Sequence, residues 1–179
     1  VTFNLGCDVT ELAKLRARLK ADDIKVSYTD ILVKLVAVAL REFPLLNCSV
    51  DGDNIIYKNY VNMGVAVALD NGLVVPNVRD ADKKGLREIS AEELANLART
   101  GGLPMERLSG GTFTITNLGM YGIESFSPII NQPEVAILGV NTIVEKPVVI
   151  DGEICVRPIL NLSLTADHRV VDGSVAAQF

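Results

Sequence analysis

The hydrophobic pattern of this 179-residue chain changes its period at Pro44. Before the proline, Asp8-Val9-Thr10-Glu11 and Ser27-Tyr28-Thr29-Asp30 have the form of helix capping boxes. The first precedes a helical pattern that runs to about Lys20, and the second precedes an apolar helix over residues 31–43. After the proline, most apolar runs are of strand length, so strands and helices are mixed rather than strictly alternating. This order predicts one α/β domain over residues 1–179, a two-layer sandwich in which helices flank a mixed β-sheet.

The strand-like segments lie on both sides of a third predicted helix, which begins at Ser90-Ala91-Glu92-Glu93 and ends near Thr100. Pro76 places its own strand at an edge of the sheet or at a bulge, because proline cannot donate to the ladder. A further helix is predicted from Ser174, and we expect the chain to end before that helix is complete. The predicted strands are residues 1–7, 46–50, 54–58, 61–69, 73–78, 112–116, 135–140, 143–150 and 154–164.

Charge and cysteine content argue against several classes of function. A formal net charge of −5 disfavours a protein that binds nucleic acid through its phosphates, which needs a basic face. No apolar run approaches the roughly 18 residues of a membrane span, and the N-terminus has no signal-peptide pattern. Cys7, Cys48 and Cys155 are far apart, which predicts reduced thiols in an intracellular protein. One histidine with scattered cysteines cannot build a usual zinc site, so we expect no metal.

The segment Asp167-His168-Arg169-Val170-Val171-Asp172-Gly173 contains the only histidine of the chain. It follows an apolar run, residues 159–164, that has the pattern of a strand and would deliver His168 to its end. Histidine is the one side chain whose unperturbed pKa lies close to physiological pH, so His168 is the single candidate for an imidazole base. A solvated loop histidine is the alternative interpretation.

A second dense segment, residues 109–119, contains two glycines that enter a predicted strand. The hydroxyls of Thr112, Thr114 and Thr116 fall on one face of that strand by its period of two. Glycines after its end would let a ligand approach the backbone closely. A threonine-rich edge strand followed by a turn explains Thr112 and Thr114 equally well, and both interpretations stay open.

Together these segments resemble the catalytic domain of the dihydrolipoamide acyltransferases, the E2 components of 2-oxo acid dehydrogenase complexes, which have the chloramphenicol acetyltransferase-like fold. The resemblance runs through the whole chain in order, and the Asp-His-Arg-x-x-Asp-Gly motif is shared in looser form only with the chloramphenicol acetyltransferases. Other segments that carry it are Asp8-Val9-Thr10-Glu11-Leu12, Phe43-Pro44-Leu45-Leu46-Asn47, Gly72-Leu73-Val74-Val75-Pro76 and Asn131-Gln132-Pro133-Glu134-Val135-Ala136-Ile137-Leu138-Gly139.

The resemblance implies that an acyl group passes between a dihydrolipoyl thiol and coenzyme A. His168 would take the proton of the attacking thiol, and Thr116 would donate a hydrogen bond to the charged oxygen of the tetrahedral intermediate. The family more often has serine at the position of Thr116. Asp172 would hold the loop that presents His168, through an ion pair or hydrogen bonds.

The resemblance also implies contacts with coenzyme A. Three of the implied residues have an alternative interpretation that is purely structural. Arg16 is a charge on a helix surface, Ser27 an N-cap and Asp70 a turn residue. The full set of implied contacts is Arg16, Ser27, Asp70, Asn117 and Asn141.

The expected assembly is a homotrimer in which His168 faces Thr116 of the adjoining chain, with trimers forming a 24-mer or 60-mer core. The lipoyl group would sit on a separate domain, and the E1 and E3 components would bind through domains that this sequence lacks. By the same resemblance, the protein would be cytoplasmic in a bacterium or lie in the mitochondrial matrix of a eukaryote.

The segment Leu118-Gly119-Met120-Tyr121-Gly122-Ile123 is more similar to acetyl-transferring members, which predicts an acetyl group. Succinyl or branched-chain transfer within the family is the alternative. An antibiotic O-acetyltransferase on the same fold and a non-catalytic scaffold are further hypotheses, and the scaffold would have no need for His168 and Thr116 together.

Overall fold

A six-stranded mixed sheet organises the chain in the computed structural model, which describes residues 1–179. The strands are β1 (Thr2–Asp8), β2 (Cys48–Asp51), β3 (Asn54–Tyr57), β4 (Met63–Val65), β5 (Val67–Leu69), β6 (Gly72–Val74), β7 (Asn77–Val78), β8 (Phe113–Asn117), β9 (Ala136–Ile150) and β10 (Glu153–Ala166). The helices are α1 (Thr10–Ala21), α2 (Tyr28–Glu42), α3 (Ala91–Thr100) and α4 (Gly173–Gln178), with single 3₁₀ turns at Pro44–Asn47, Met105–Leu108 and Gly119–Tyr121.

The main sheet has the strand order β1-β10-β9-β8-β4-β7. Strand β8 pairs in parallel with both β9 and β4, and the other pairings in this sheet are antiparallel. Two small hairpins, β2–β3 and β5–β6, lie outside it. The predicted class, an α/β fold with a mixed sheet and flanking helices, is confirmed.

Helix α2 supplies the helical side of the core. Its apolar residues are buried together with Phe113 and Ile115 of β8. Side chains alternate along a strand, so Thr114 and Thr116 point to the opposite face of the sheet. That second face carries Thr116 and the buried hydrogen bond of Thr114, among largely apolar neighbours. None of the helices is long and apolar enough to cross a membrane.

The capping box at Ser27 is confirmed, and one carboxylate serves two helices there. Asp30 Oδ2 accepts hydrogen bonds from the Ser27 backbone N–H at 2.8 Å and from Ser27 Oγ at 2.7 Å, and the Asp30 N–H donates to Ser27 Oγ at 3.1 Å. Asp30 Oδ1 accepts from the backbone N–H of Ala91, the first residue of α3, at 2.9 Å. The predicted Ser90 cap is therefore wrong in detail, because Ser90 makes no capping bond and Asp30 takes its place.

The capping box predicted at Asp8 does not form. Val9 occupies the N-cap position of α1, because Asp8 still belongs to strand β1. The Asp8 carboxylate instead accepts from the N–H and the hydroxyl of Thr10, at 2.9 and 2.6 Å. Glu11 pairs with Lys14 on the helix surface at 2.7 Å.

Two predicted strands divide and two others merge. The run at residues 61–69 splits into β4 and β5, since β5 leaves the sheet to pair with β6 and pack on α3. Pro76 interrupts the run at residues 73–78, and the remaining strand β7 lies at the sheet edge as predicted. The segments 135–140 and 143–150 form the single long strand β9, which continues past the sheet as a two-stranded arm with β10.

Candidate active site

His168 lies in the turn between the end of β10 and the start of α4, and it is exposed. The strand therefore delivers it to the sheet end, as the sequence predicted. The preceding residue fixes the loop to the sheet, because the Asp167 N–H donates to the carbonyl oxygen of Val135 at 2.8 Å. No hydrogen bond within the chain involves the imidazole ring, so both ring nitrogens are free to meet a substrate.

The loop is stiffened by a local ion pair between Asp167 and Arg169. Arg169 Nη2 lies 2.6 Å from Asp167 Oδ2, and its Nε and backbone N–H both bond to Asp167 Oδ1 at 3.0 Å. This guanidinium lowers the pKa of the Asp167 carboxyl, and the carboxylate raises the pKa of Arg169. The Asp167 carboxylate thus pairs with Arg169 and makes no hydrogen bond with His168.

Asp172 does not hold this loop in the single chain, which corrects the expected contact. Its side chain is exposed and makes no hydrogen bond or ion pair, although its carbonyl oxygen accepts from Ala176 at 3.0 Å at the start of α4. The local pair of Asp167 and Arg169 does the holding, because the two side chains are close in sequence and turn toward each other.

Thr116 lies near the end of β8, half-buried, beside a cavity of about 440 Å³. No charged side chain lines this cavity. Thr112 and Thr114 play a structural part, since Thr112 bonds to Asn62 and Thr114 to Glu134. Thr116 alone has no side-chain partner in the chain. The lining residues are Ala66, Leu73, Val75, Thr114, Thr116, Phe126, Ser127, Pro128, Ile129, Ile130, Asn131 and Ile137.

His168 and Thr116 of one chain lie far apart. Thr116 is level with Gly139 on β9, which is level with Ser163 on β10, three residues before the end of that strand at Ala166. Three residues along the strand and two strand spacings across place Ala166 roughly 14 Å from Thr116. The bond from the Asp167 N–H to Val135 O carries the chain one residue farther out before His168, so the two side chains of one chain are not placed to act on one bond.

The structure brings Arg16 and Ser27 together at the start of α2, in a cleft of about 360 Å³. The Arg16 guanidinium stacks 4.8 Å from the ring centroid of Tyr28. Lys20 and Lys25 line the same cleft. Three cations against the carboxylates of Asp23 and Glu92 leave a net positive cleft on an acidic protein.

Asn117 lies on the same side of α2, where its Nδ2 donates to Thr29 Oγ1 at 3.1 Å. Asp70 lies in the exposed turn between β5 and β6, outside the cleft of Arg16. Asn141 is 2% exposed, and its Nδ2 donates to Asn161 O at 2.9 Å and to Ser163 Oγ at 3.0 Å. Its amide spans the irregularity in β10, which is a structural role, and the coenzyme A contact expected of Asn141 stays a prediction.

Sequence reasoning missed Glu134 as a group of chemical interest. The side chain is only 5% exposed, and burial raises the pKa of its carboxyl to about 7 despite hydrogen bonds from Thr114 and Asn131. The only local signal is an acidic residue at the start of the apolar run of β9. No group of three or more His, Cys, Asp or Glu side chains is placed to hold a metal ion.

Residues 1–179 match the family described as 2-oxoacid dehydrogenases acyltransferase (catalytic domain). The chain belongs to this family. Family members with the same architecture include the Azotobacter vinelandii dihydrolipoamide acetyltransferase, at 41% identity and a TM-score of 0.93 over 99% of this chain and 76% of that one. A chloramphenicol acetyltransferase shares the fold at 14% identity and a TM-score of 0.60.

Relatives within the family are named for the transfer of different acyl groups. The succinyltransferase component of the 2-oxoglutarate dehydrogenase complex of Bartonella vinsonii is 46% identical over 99% of this chain. The acetyltransferase component of the pyruvate dehydrogenase complex of Cupriavidus necator is 47% identical over 100% of it. The chain spans 45% and 34% of these two proteins. Overall identity to these two relatives therefore does not separate acetyl from succinyl transfer.

Proposed function

We propose that this chain is the catalytic domain of a dihydrolipoamide acyltransferase, which exchanges an acyl group between a dihydrolipoyl thiol and coenzyme A. One observation carries the proposal. The structure of the Azotobacter vinelandii enzyme was studied for the role of a serine, a histidine and an asparagine in its mechanism. Its serine precedes its histidine by as many positions as Thr116 precedes His168, and its asparagine follows by as many as Asp172 does.

His168 acts as the general base in this proposal. A free thiol binds its proton about 2 pK units more tightly than a free imidazole. Complete transfer before attack is therefore uphill, and the sulfur loses its proton to the imidazole as it attacks the thioester carbonyl. Such base assistance is typically worth ~10²–10⁴-fold in rate. The exposed, unpartnered ring of His168 on a loop held by Asp167 and Arg169 suits this role.

Thr116 stabilises the tetrahedral intermediate. Its hydroxyl has no side-chain partner in the chain and borders a cavity without charged side chains, where a hydrogen bond to a developing oxyanion is strong. The threonine replaces the serine of the Azotobacter vinelandii enzyme and keeps the hydroxyl. Its extra methyl group narrows the site beside the apolar lining.

Two chains build each active site in this proposal. The separation of His168 and Thr116 within one chain supports a site in which the histidine of one chain faces the threonine of its neighbour. A homotrimer would contain three such sites, one between each pair of neighbouring chains. Assembly of trimers into a larger core is supported by a solved relative, the cubic core of a pyruvate dehydrogenase complex, at a TM-score of 0.93.

The cleft of Arg16 receives the phosphates of coenzyme A. Its three cations, the first turn of α2 and the Asn117 amide nearby supply positive charge and hydrogen-bond donors of the kind that phosphate groups require. The Ser27 hydroxyl already donates to Asp30, so Ser27 contributes to the cleft as the N-cap that begins α2 and not as a donor to phosphate. The dihydrolipoyl group reaches the site on a separate domain of the complex.

The acyl group is small and uncharged. The cavity beside Thr116 is lined by apolar and neutral polar side chains, so a succinyl carboxylate would be buried there without a cation. The Leu118–Ile123 segment, which resembles acetyl-transferring members, supports the same choice of acetyl.

The test is coenzyme A-dependent thiolysis of acetyl-, succinyl- and isobutyryl-dihydrolipoamide by the assembled protein, with sedimentation to measure its oligomeric state. We expect the highest kcat/KM with the acetyl substrate and a mass that is a multiple of three chains. A preference for the succinyl substrate would overturn the acetyl assignment. Absence of thiolysis with all three would overturn the proposed reaction.

A further inference from the structure

A carboxyl is buried beside Thr114, in the segment that leads into β9. Glu134 is 5% exposed, and its Oε2 accepts a hydrogen bond of 2.7 Å from Thr114 Oγ1. Asn131 Nδ2 lies 3.4 Å from both Glu134 Oε1 and Thr114 Oγ1. Oε2 is therefore well partnered, whereas Oε1 has only one long contact.

Asn77 presents an unpartnered oxygen to the same place. Its side chain is 2% exposed, and its Nδ2 donates to the carbonyl oxygens of Arg107 and Ser109 at 3.1 and 3.5 Å. These bonds fix the amide so that Oδ1 points away from both carbonyls. Asn77 Oδ1 is buried and has no hydrogen-bond partner. A buried acceptor without a donor costs free energy, so a donor is expected nearby.

Gly111 shows how close the two oxygens are. The position that a Cβ would take at Gly111 lies 2.5 Å from Asn77 Oδ1 and 2.8 Å from Glu134 Oε1. The two oxygens are therefore no more than about 5 Å apart. Any side chain at this position would clash with both, which explains the glycine. A proton on Glu134 Oε1 would turn one of these two neighbouring acceptors into a donor.

Charged groups from neighbouring elements do not supply an alternative partner. Lys58 and Tyr60 line one cleft that also reaches Glu134, and Asp167 and Arg169 line another. None of the four is within ion-pair or hydrogen-bond distance of Glu134. Arg107 bonds through Nη1 to the carbonyl oxygen of Asn77, not to the carboxyl. Burial is the largest influence on the carboxyl, and it favours the neutral form.

We propose that Glu134 is a positioning residue that acts in its protonated form, with Oε1–H donating to Asn77 Oδ1 while Oε2 accepts from Thr114. This inference rests on the proposed function for its catalytic consequence. Thr114 lies two residues before Thr116 on the same face of β8. The carbonyl of Val135, next to Glu134, holds the loop of His168 through the Asp167 N–H.

The neutral carboxyl thus links the strand of Thr116 to the segment that holds the loop of His168. In the proposed function, these two parts of one chain belong to two different active sites. Loss of its proton places an unpaired negative charge beside the Asn77 oxygen, and the two acceptors repel each other. The strand of Thr116 and the segment before β9 then lose their shared anchor. Catalysis should therefore weaken on the alkaline side.

The decisive variant is Glu134→Gln, which keeps an N–H donor for Asn77 and an oxygen acceptor for Thr114 but cannot ionise. We expect an infrared band of a protonated carboxyl in the wild type near pH 6, bleaching as pH rises through about 7 and absent from Glu134→Gln. The ratio of kcat for Glu134→Gln to wild type should rise severalfold between about pH 6 and 8.5. Glu93→Gln, an exposed change on α3, is the matched control and should leave band and ratio unchanged.

Thr114→Val provides a second test that keeps Glu134. It removes the 2.7 Å donor that favours the ionised form, so the infrared titration should shift to higher pH. An absent band in the wild type, a band that survives in Glu134→Gln, or a flat activity ratio would overturn the proposal. The infrared titration does not depend on turnover, so it separates this inference from a failure of the proposed reaction.

Discussion

The backbone N–H of Asp167 donates a hydrogen bond of 2.8 Å to the carbonyl oxygen of Val135. This bond extends the pairing of β10 and β9 by one step beyond the regular strands and fixes where the chain leaves the sheet. The turn that follows is closed by the pair of Asp167 and Arg169. His168 is therefore presented by a backbone with little freedom, although its own side chain is exposed.

Replacing Thr116 tests the oxyanion role directly. Thr116→Val keeps the shape and removes the hydroxyl, so kcat for thiolysis should fall ~10²–10³-fold with little change in KM. Thr116→Ser restores the hydroxyl and should retain activity within about threefold of wild type. Steady-state kinetics of both variants give the answer, and equal losses in the two would contradict a hydrogen-bonding role.

Replacing His168 should affect catalysis and not stability. His168→Asn removes the base from an exposed turn, so kcat should fall ~10²–10⁴-fold while the Tm stays within about 1 °C of wild type. Calorimetry and the thiolysis assay together check this. A variant with more than a third of wild-type activity would point to another base, and the scaffold hypothesis would gain weight.

Removing the Arg16 guanidinium should weaken the binding of phosphate groups. Arg16→Gln should raise the KM for coenzyme A about tenfold, the loss expected for one charge-assisted hydrogen bond. The KM for pantetheine, a thiol without phosphate, should stay unchanged. Arg18→Gln is the matched control, since Arg18 is on the same helix but outside the cleft. An equal rise for both thiols would contradict the assignment.

The Glu134 carboxyl should make folding stability depend on pH. Its pKa rises from 4.5 in the unfolded chain to about 7 in the folded one. The folded state then holds a proton that the unfolded state releases, so its stabilising effect is complete below about pH 4.5 and is lost as pH rises to about 7. The loss amounts to about 3 kcal/mol, at about 1.4 kcal/mol for each pH unit. Urea unfolding from pH 5 to 8 should show this slope in the wild type and a shallower one in Glu134→Gln; parallel curves would contradict it.

Asp30 should be important to stability because its carboxylate joins the starts of α2 and α3. Asp30→Ala leaves the N–H groups of Ser27 and Ala91 unpaired in a buried place and should cost about 2–4 kcal/mol. Asp30→Asn keeps an oxygen for one of them and should cost less. Asp22→Ala, an exposed change at the end of α1, should stay within about 0.5 kcal/mol, as surface changes usually do. Chemical denaturation measures all three.

Structural features that depend on residues close together in the sequence could be predicted. The Ser27 capping box formed as predicted, because it depends on a few neighbouring residues. The bond from Ala91 to Asp30 joins residues 61 positions apart, so the Ser90 pattern gave the right helix start for the wrong reason. The strand that precedes His168 was also predicted, since apolar residues recur along most of its length.

Features that depend on neighbours across the fold were not predictable from the chain alone. Nothing near Glu134 in sequence indicates that Asn77 and Gly111 will enclose it. In the single chain, Asp167 and Arg169 hold the loop that Asp172 was expected to hold; both are in the motif around His168, but the motif does not show which of its charged side chains pair. Arg16 and Ser27 were named only as separate contacts implied by the resemblance, and their meeting with Lys25 in one cleft depends on how the end of α1 packs beside the start of α2.

Strand β9 runs without interruption from Ala136, beside the loop of His168, to Ile150 at the tip of the two-stranded arm. At about 3.3 Å for each residue, this ribbon is close to 50 Å long. Its inner end adjoins Val135, whose carbonyl oxygen holds the loop of His168 through the Asp167 N–H. A contact at the far tip would therefore act on the same continuous strand that anchors the catalytic loop.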